Sequence, residues 1–461
     1  MRVLVVICAG LLTFSGCNLL DLEPVSQITS NQAFSDLNSA EGAVNGMYNN
    51  LQTPYMWRVQ VLSDVASDMS QQIDTWDALI ATDEFNWSVD NSEVEDLYTS
   101  FYRCIDIANN IIAYVPEMAI DQGIKDDMLG QAYWVRGLAY FDLARFFGGY
   151  PQVYGELGAV IVVTPSSGIT ESDLKPRSTL AETYAQAESD LLQALQLLPE
   201  ARSSTVLSKV KATKPAARAL LARYYLYNRQ WDLAEQYATD AIAGKSLNVP
   251  FMSIFRNKNT EESLFEVQFS NVDINGLRNW YYPSNLSARG GTALHQSTYE
   301  AIVADPADTR AQLIAQNPAR PVYYPTKWDD PQEGDNFQLL RLAEQYLIRA
   351  EARAELENFD GALEDLNAVR ARAGVAARTA AGKDAIIAAI LEERRLEFVG
   401  EGQRWFDVIR RGLGTTVFTN IVRTTGSQPS YSLSNAGRQV MPIPSVETRA
   451  NNNVQQNEAY R

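Results

Sequence analysis

The sequence predicts a mainly α protein: antiparallel helix pairs stacked into a superhelix, with a large irregular lobe beside them. Three observations carry that reading. Apolar residues recur at helical spacing through several long segments. Two of the junctions between those segments repeat one pattern. Between 245 and 338 the helical rhythm stops, in a stretch rich in Asn, Pro, Gly and aromatics.

Taken in order, the chain opens with a segment of a different kind. Val3, Leu4, Val5, Val6 and Ile7, then Leu11 and Leu12, form a short apolar run that ends in Ser15-Gly16. Such a run is too short to span a bilayer and reads as a secretory signal peptide over 1–16, with Arg2 as its only cation. Cys17 follows at once, and the arrangement resembles the lipobox of bacterial lipoproteins. In those signals the peptide is cut before the Cys and the new terminus is acylated. At roughly 0.8 kcal/mol per buried CH₂, several acyl chains would anchor the protein without a transmembrane helix.

No linker or low-complexity run divides the remaining 17–461, which reads as one domain. Its repeat helices are expected within about 97–147, 180–243 and 339–400. Segment 97–105 reads as a core helix and carries Cys104. Segment 180–198 stops at Pro199; 216–228 pairs with 233–243, and 339–356 with 362–373, followed by 385–398. The matching junctions are Trp231-Asp232 with Ala234, and Phe359-Asp360 with Ala362. The aromatic is expected to close one helix, the Asp to cap the next, and the Ala to let the two approach. Helix pairs of this length resemble tetratricopeptide repeats. The irregular lobe is expected over about 53–89, 245–338 and 415–461, with a strand-like run at 264–269. Long loops on a rigid scaffold are where binding surfaces are built.

Composition narrows the function. A net charge of −17 argues against nucleic acid and against a basic membrane-binding patch. With Cys8 in the leader and Cys17 acylated, Cys104 stands alone, so neither a disulfide framework nor a cysteine metal site is expected. His295 is the single histidine, which excludes multi-His metal sites and argues against a Ser-His-Asp triad. Gly290-Gly291 lacks the phosphate-loop pattern. Asp64/Asp68 and Asp329/Asp330 read as caps and solvated turns rather than as a glycosidase pair. The expectation from these residues is no catalysis, no cofactor and no metal.

Four segments then converge. The first runs from Arg136-Gly137-Leu138-Ala139-Tyr140-Phe141-Asp142 through Arg145 to Tyr150-Pro151. The second is Arg341-Leu342-Ala343-Glu344 through Ala352, with Asp365 through Gly374 after it. The third is Glu392-Glu393-Arg394-Arg395-Leu396-Glu397, then Gly400, Gly402 and Arg404-Trp405-Phe406-Asp407. The last is Met441-Pro442-Ile443-Pro444 with Glu447, Asn451 and Gln456-Asn457. Together they resemble the SusD/RagB family of Bacteroidetes outer-membrane lipoproteins, as does the start Asp21-Leu22-Glu23-Pro24, whose acidic residues resemble a surface-export signal. The motif charges Arg136, Asp142, Arg145, Glu393, Arg394 and Glu397 read as ties between helices. Gly400, Gly402 and Trp405 read as a tight, filled turn.

The resemblance implies a cell-surface, lipid-anchored protein of the outer membrane. Such proteins capture a glycan and sit as a lid on a SusC-like TonB-dependent barrel transporter, to which they pass it. The repeat helices would face that barrel and the irregular lobe would hold the ligand. RagB-like members take peptides instead, and a tetratricopeptide-type adaptor for a protein partner is the competing reading; exposed aromatics in the lobe favour glycan. Sugar rings stack on flat aromatics beside polar side chains. The candidates are Asp68 and, in the loop that follows it and supplies aromatic platforms in the family, Trp76 and Asp77; Trp57 with Arg58; and Trp280, Tyr282 and Arg289. Trp87 and Trp328 read as scaffold, and Trp134, Trp231 and Trp405 as core.

Overall fold

The computed structural model describes residues 33–461 except 167, 169, 248 and 249. The leader expected at 1–16 and the acylation expected at Cys17 lie outside the described residues. From there the chain runs α1 (Leu37–Tyr55), α2 (Arg58–Val65), β1 (Ser70–Gln72), α3 (Asp77–Asp83), α4 (Ser92–Tyr114), α5 (Gln122–Leu143), α6 (Leu180–Leu197), α7 (Lys214–Tyr227) and α8 (Trp231–Ile242). The lobe adds β2 (Ser263–Val267), α9 (Leu277–Tyr281), β3 (Thr292–Leu294), α10 (Gln296–Val303), β4 (Ile314–Gln316), β5 (Tyr323–Pro325) and β6 (Phe337–Arg341). The second helical stretch holds α11 (Leu342–Glu355), α12 (Phe359–Arg372), α13 (Lys383–Glu397) and α14 (Arg404–Arg410), and a hairpin β7 (Ile421–Val422) and β8 (Ser430–Tyr431) follows.

Helix packs on helix in the order α4–α5–α6, then α7–α8–α11–α12, so the architecture is the mainly α superhelix that the sequence predicts. Local chemistry starts these helices. Asn91 accepts from the backbone of Glu93 and Val94 at the head of α4, and Thr179 with Glu182 forms a capping box on α6. Close approach is built in as well. A Cβ on Gly137 of α5 would lie 2.9 Å from Leu191 of α6, which is why a glycine stands at that crossing.

The two matching junctions are structurally equivalent, but not in the way their spacing suggests. Trp231 and Phe359 begin the second helix of each pair rather than close the first, and Asp232 and Asp360 sit in the first turn. The preceding helix ends instead on a left-handed residue, Arg229 (φ 57°) or Glu357 (φ 64°). In both, the next amide reaches back five residues, Gln230 to Tyr225 at 3.0 Å and Asn358 to Arg353 at 2.8 Å. The acid therefore acts on the helix dipole rather than as the cap.

Two further expectations are corrected. Residues 339–341 are strand, not helix: β6 pairs antiparallel with β2, and both are buried along their whole length. Periodicity cannot separate a fully buried strand from a buried helix. Segment 53–89, read as irregular, contains α2, β1 and α3, each too short to declare itself by period. A second sheet, four-stranded and antiparallel, runs in the order β1-β3-β5-β4. Among the described residues no helix is long and apolar enough to cross a membrane.

The family motifs are ion-pair networks inside this core. Arg136 grips Asp190 from α5 to α6; Arg145 holds Asp142 at 2.6 Å, and Tyr55 of α1 donates to the same carboxylate. Arg394 and Arg410 share Asp407, and Arg410 also holds Glu351 of α11. The densest knot joins Arg341 to Glu397 and Glu401 at 2.6 and 2.8 Å, with Arg310 and Arg372 converging on Glu397 from the lobe and α12. Lys327 completes it at 2.5 Å from Glu401.

Burial works against the Glu397 charge, but Arg372, Arg341 and Arg310 outweigh it and hold its carboxyl at about 2, below an ordinary 4.5. A depressed carboxyl gives stability that is present above its unfolded value and is lost as pH falls through the folded one. The shift corresponds to about 3 kcal/mol. Glu397→Gln is therefore expected to cost about 3 kcal/mol at pH 7 in urea denaturation, and the gap to wild type should close as pH falls from 4.5 toward 2.

Candidate functional site

The predicted aromatics of three distant segments meet in one cluster. Trp57, just before α2, packs on Trp280 of α9 with ring centroids 4.6 Å apart, and Trp280 packs on Trp76 at 5.1 Å. Two glycines make room: a Cβ on Gly276 would lie 3.1 Å from the Trp57 ring, and one on Gly291 would lie 2.9 Å from both Trp280 and Asp74. Trp57 and Trp280 are only 7% and 3% exposed, whereas Trp76 is half-buried. Of the three rings, Trp76 is the one that meets solvent; Trp280 backs it, and Trp57 backs Trp280.

Arg289 closes the cluster. Its guanidinium lies 4.0 Å from the Trp76 ring centre and 4.7 Å from that of Trp280. It is fixed there by Asp74, whose Oδ2 is 2.5 Å from Nε. The other oxygen of Asp74 accepts from the Trp76 amide at 3.0 Å and from the Gln72 side chain, so one carboxylate sets both the loop and the arginine. Arg58 lies 4.9 Å over Trp57 and is held by Glu93 and Asp96 at 2.9 and 2.6 Å. Asp77 is exposed in the first turn of α3, beside Trp76.

The structure thus brings together Trp57, Arg58, Trp76, Asp77, Trp280 and Arg289. It places Tyr282 elsewhere, 7% exposed and packed on Tyr324 at 5.0 Å with Arg278 over its ring. Asp68 is also apart, bound through both oxygens to Arg404 at 2.8 and 2.9 Å. Asp74 is the member that sequence reasoning missed; an acid two residues before the platform ring, bonding its amide as an Asx turn does, was the available signal. Trp280, read as an exposed ligand contact, is corrected to a buried support by its packing between two other indoles. Trp87, Trp134, Trp328 and Trp405 are buried, as their settings suggested, and Trp231 is half-buried.

Cys104 is fully buried, and burial pushes its thiol up to about 12. Among the described residues, no three His, Cys, Asp or Glu gather as a metal-holding group.

Comparison with known proteins places the chain in a family. The SusD family model matches residues 261–460, and one described as starch-binding, associating with the outer membrane, matches 18–226. The chain belongs to the SusD family. SusD-like protein P2 of Formosa agariphila is 24% identical, covering 97% of each chain, and a SusD-like protein of Bacteroides ovatus is 24% identical over 88% of this chain and 82% of its own. A solved SusD superfamily protein of Bacteroides thetaiotaomicron superposes with a TM-score of 0.78 at 26% identity, covering 91% of this chain and 99% of its own. A candidate sugar binding protein of Bacteroides vulgatus gives 0.78 at 28%, covering 92% and 98%.

The difference in burial separates two variants of the cluster. Trp280→Ala is expected to lower stability by about 3–5 kcal/mol, because a cavity opens between two rings. Trp76→Ala, at the surface, should cost less than about 1 kcal/mol. Urea denaturation of the two variants checks the ordering, and equal losses would contradict it.

Proposed function

We propose that this protein captures a glycan outside the cell, on the Trp76 ring beside Arg289 and Asp74, and passes it to a SusC-like TonB-dependent barrel. The carrying observation is the half-exposed indole backed by Trp280, with the Arg289 guanidinium over its ring and the Asp74 carboxylate holding that guanidinium. A sugar ring offers an apolar face to the indole and hydroxyls to the charged groups. Family membership supports the reading, as does the sugar binding ascribed to the relative from Bacteroides vulgatus. Acylation of Cys17 would tether the protein to the outer membrane at the cell surface. The protein binds and does not convert its ligand, since Asp74 is committed to Arg289 and to its own loop.

Two outcomes test this. In isothermal titration against neutral and acidic oligosaccharides, Trp76→Ala should weaken binding of whichever ligand is taken by about 2 kcal/mol, roughly thirtyfold. Chromatography of the ligand after prolonged incubation should show it intact, and turnover abolished by changing a single carboxylate would sink the binding reading. Capture of peptides but of no saccharide would move the assignment to a RagB-like role. Separately, Cys17→Ala should shift the protein from the membrane to the soluble fraction in cell fractionation.

A further inference from the structure

A second cleft lies at the other end of β1 from the tryptophan cluster. It holds about 550 Å³ between β1, the start of α10 and the β7–β8 hairpin, a volume in the range of small-molecule sites. Asp68, Gln71 and His295 supply polar groups to its wall, while Val322, Ile421 and Val422 supply an apolar side. Val422 is 69% exposed, the most open of these apolar groups.

His295 is more than nine-tenths buried, and the Arg423 guanidinium lies against its Nε2. A guanidinium only donates, so Nε2 accepts and the ring's proton sits on Nδ1. Burial first, and then the Arg423 charge, push the imidazole down to about 3, so it stays neutral. Among the described residues Nδ1–H is paired with no acceptor and is not sealed from solvent, so it is a donor open to the cleft. Gln71 is placed similarly. Its Oε1 accepts from the Thr424 amide at 2.8 Å, which leaves its Nε2 amide without a partner among the described residues.

The charges around these donors cancel or face outward. Asp68 is neutralised by Arg404, with Arg395 4.0 Å away, and Glu300 stands exposed on the cleft wall, where it repels anions. Neutral donors and an apolar side fit a ligand with acceptor oxygens, one apolar face and no net charge. We propose that this cleft is a second binding site, for a short neutral saccharide, separate from the tryptophan cluster.

The single histidine makes the test specific, because histidine-selective ¹⁵N labelling gives one imidazole spin system, at the cleft. Maltose, cellobiose, laminaribiose and xylobiose are titrated to millimolar concentration. At least one is expected to shift the His295 signals saturably in wild type and in Trp76→Ala. Val422→Arg and Ser297→Trp, both at exposed positions, should weaken that response at least tenfold with the urea midpoint unchanged. The proposal is overturned if no disaccharide moves the signals, or if the shift is lost in Trp76→Ala and so is relayed from the cluster. It is equally overturned if both cleft variants respond as wild type, or if a tripeptide shifts the signals and no sugar does.

Discussion

The Arg341–Glu397–Glu401 knot is the constraint on which the rest of the structure depends. Arg341 ends the last strand of the lobe and precedes α11, so it stands where lobe and helical scaffold join. Its guanidinium is buried and lies 4.5 Å over Phe398 while holding both glutamates. Arg310 and Lys327 reach the same glutamates from the lobe, and Arg372 from α12. Removing one partner would leave the others charged in a dry interior, which costs far more than a surface pair is worth. The scaffold and the lobe are therefore fixed to each other by charge as well as by apolar packing.

From that knot a short relay reaches the tryptophan cluster. Gly402 follows Glu401 with φ 72°, and a Cβ there would lie 2.7 Å from the Gln60 backbone of α2, so only glycine lets the turn sit against that helix. The Gly402 amide donates to Asp64 of α2 at 3.1 Å, and the Tyr281 hydroxyl donates to the other oxygen of Asp64 at 3.0 Å. Tyr281 is next to Trp280. Burial raises the Asp64 carboxyl to about 7 against the pull of these two donors, which marks how dry the connection is. Each link is a single hydrogen bond worth about 1 kcal/mol net, but an orphaned partner would cost more. A motif that touches no part of the tryptophan cluster thus sets where the rings stand.

Much of this was legible in the sequence, for reasons that differ by residue. Long helices with an apolar stripe announced themselves, and so did the charges at helical spacing, since a buried Arg must find a carboxylate. The strand at 337–341 did not, because both of its faces are buried and its period is silent. The junction aromatics were correctly paired with each other but placed on the wrong helix, because a left-handed Arg or Glu carries no sign of its backbone. For the tryptophan cluster, aromatic type and irregular setting found Trp57, Trp76 and Trp280, but exposure could not be ranked. Whether a Trp is platform or backing depends on contacts between segments some two hundred residues apart. Asp68 and Asp74 look alike in the chain; only the fold gives one to Arg404 and the other to Arg289.

The burial gradient across the three indoles bears directly on how such a surface would bind. A side chain that must be ordered on binding costs about 0.5–1.5 kcal/mol, and a lone exposed Trp would incur it. Here Trp280, itself backed by Trp57, holds one side of Trp76, Asp74 fixes its amide, and the Arg289 guanidinium lies over its ring. Little conformational freedom is left to lose when a ring stacks on it. The same packing explains why the supporting rings cannot be traded for polar contacts: they are core residues, and what they would give a ligand is the rigidity of a neighbour. Binding strength would then depend on Trp76 directly and on Trp280 through the fold, two routes that stability and affinity measurements separate.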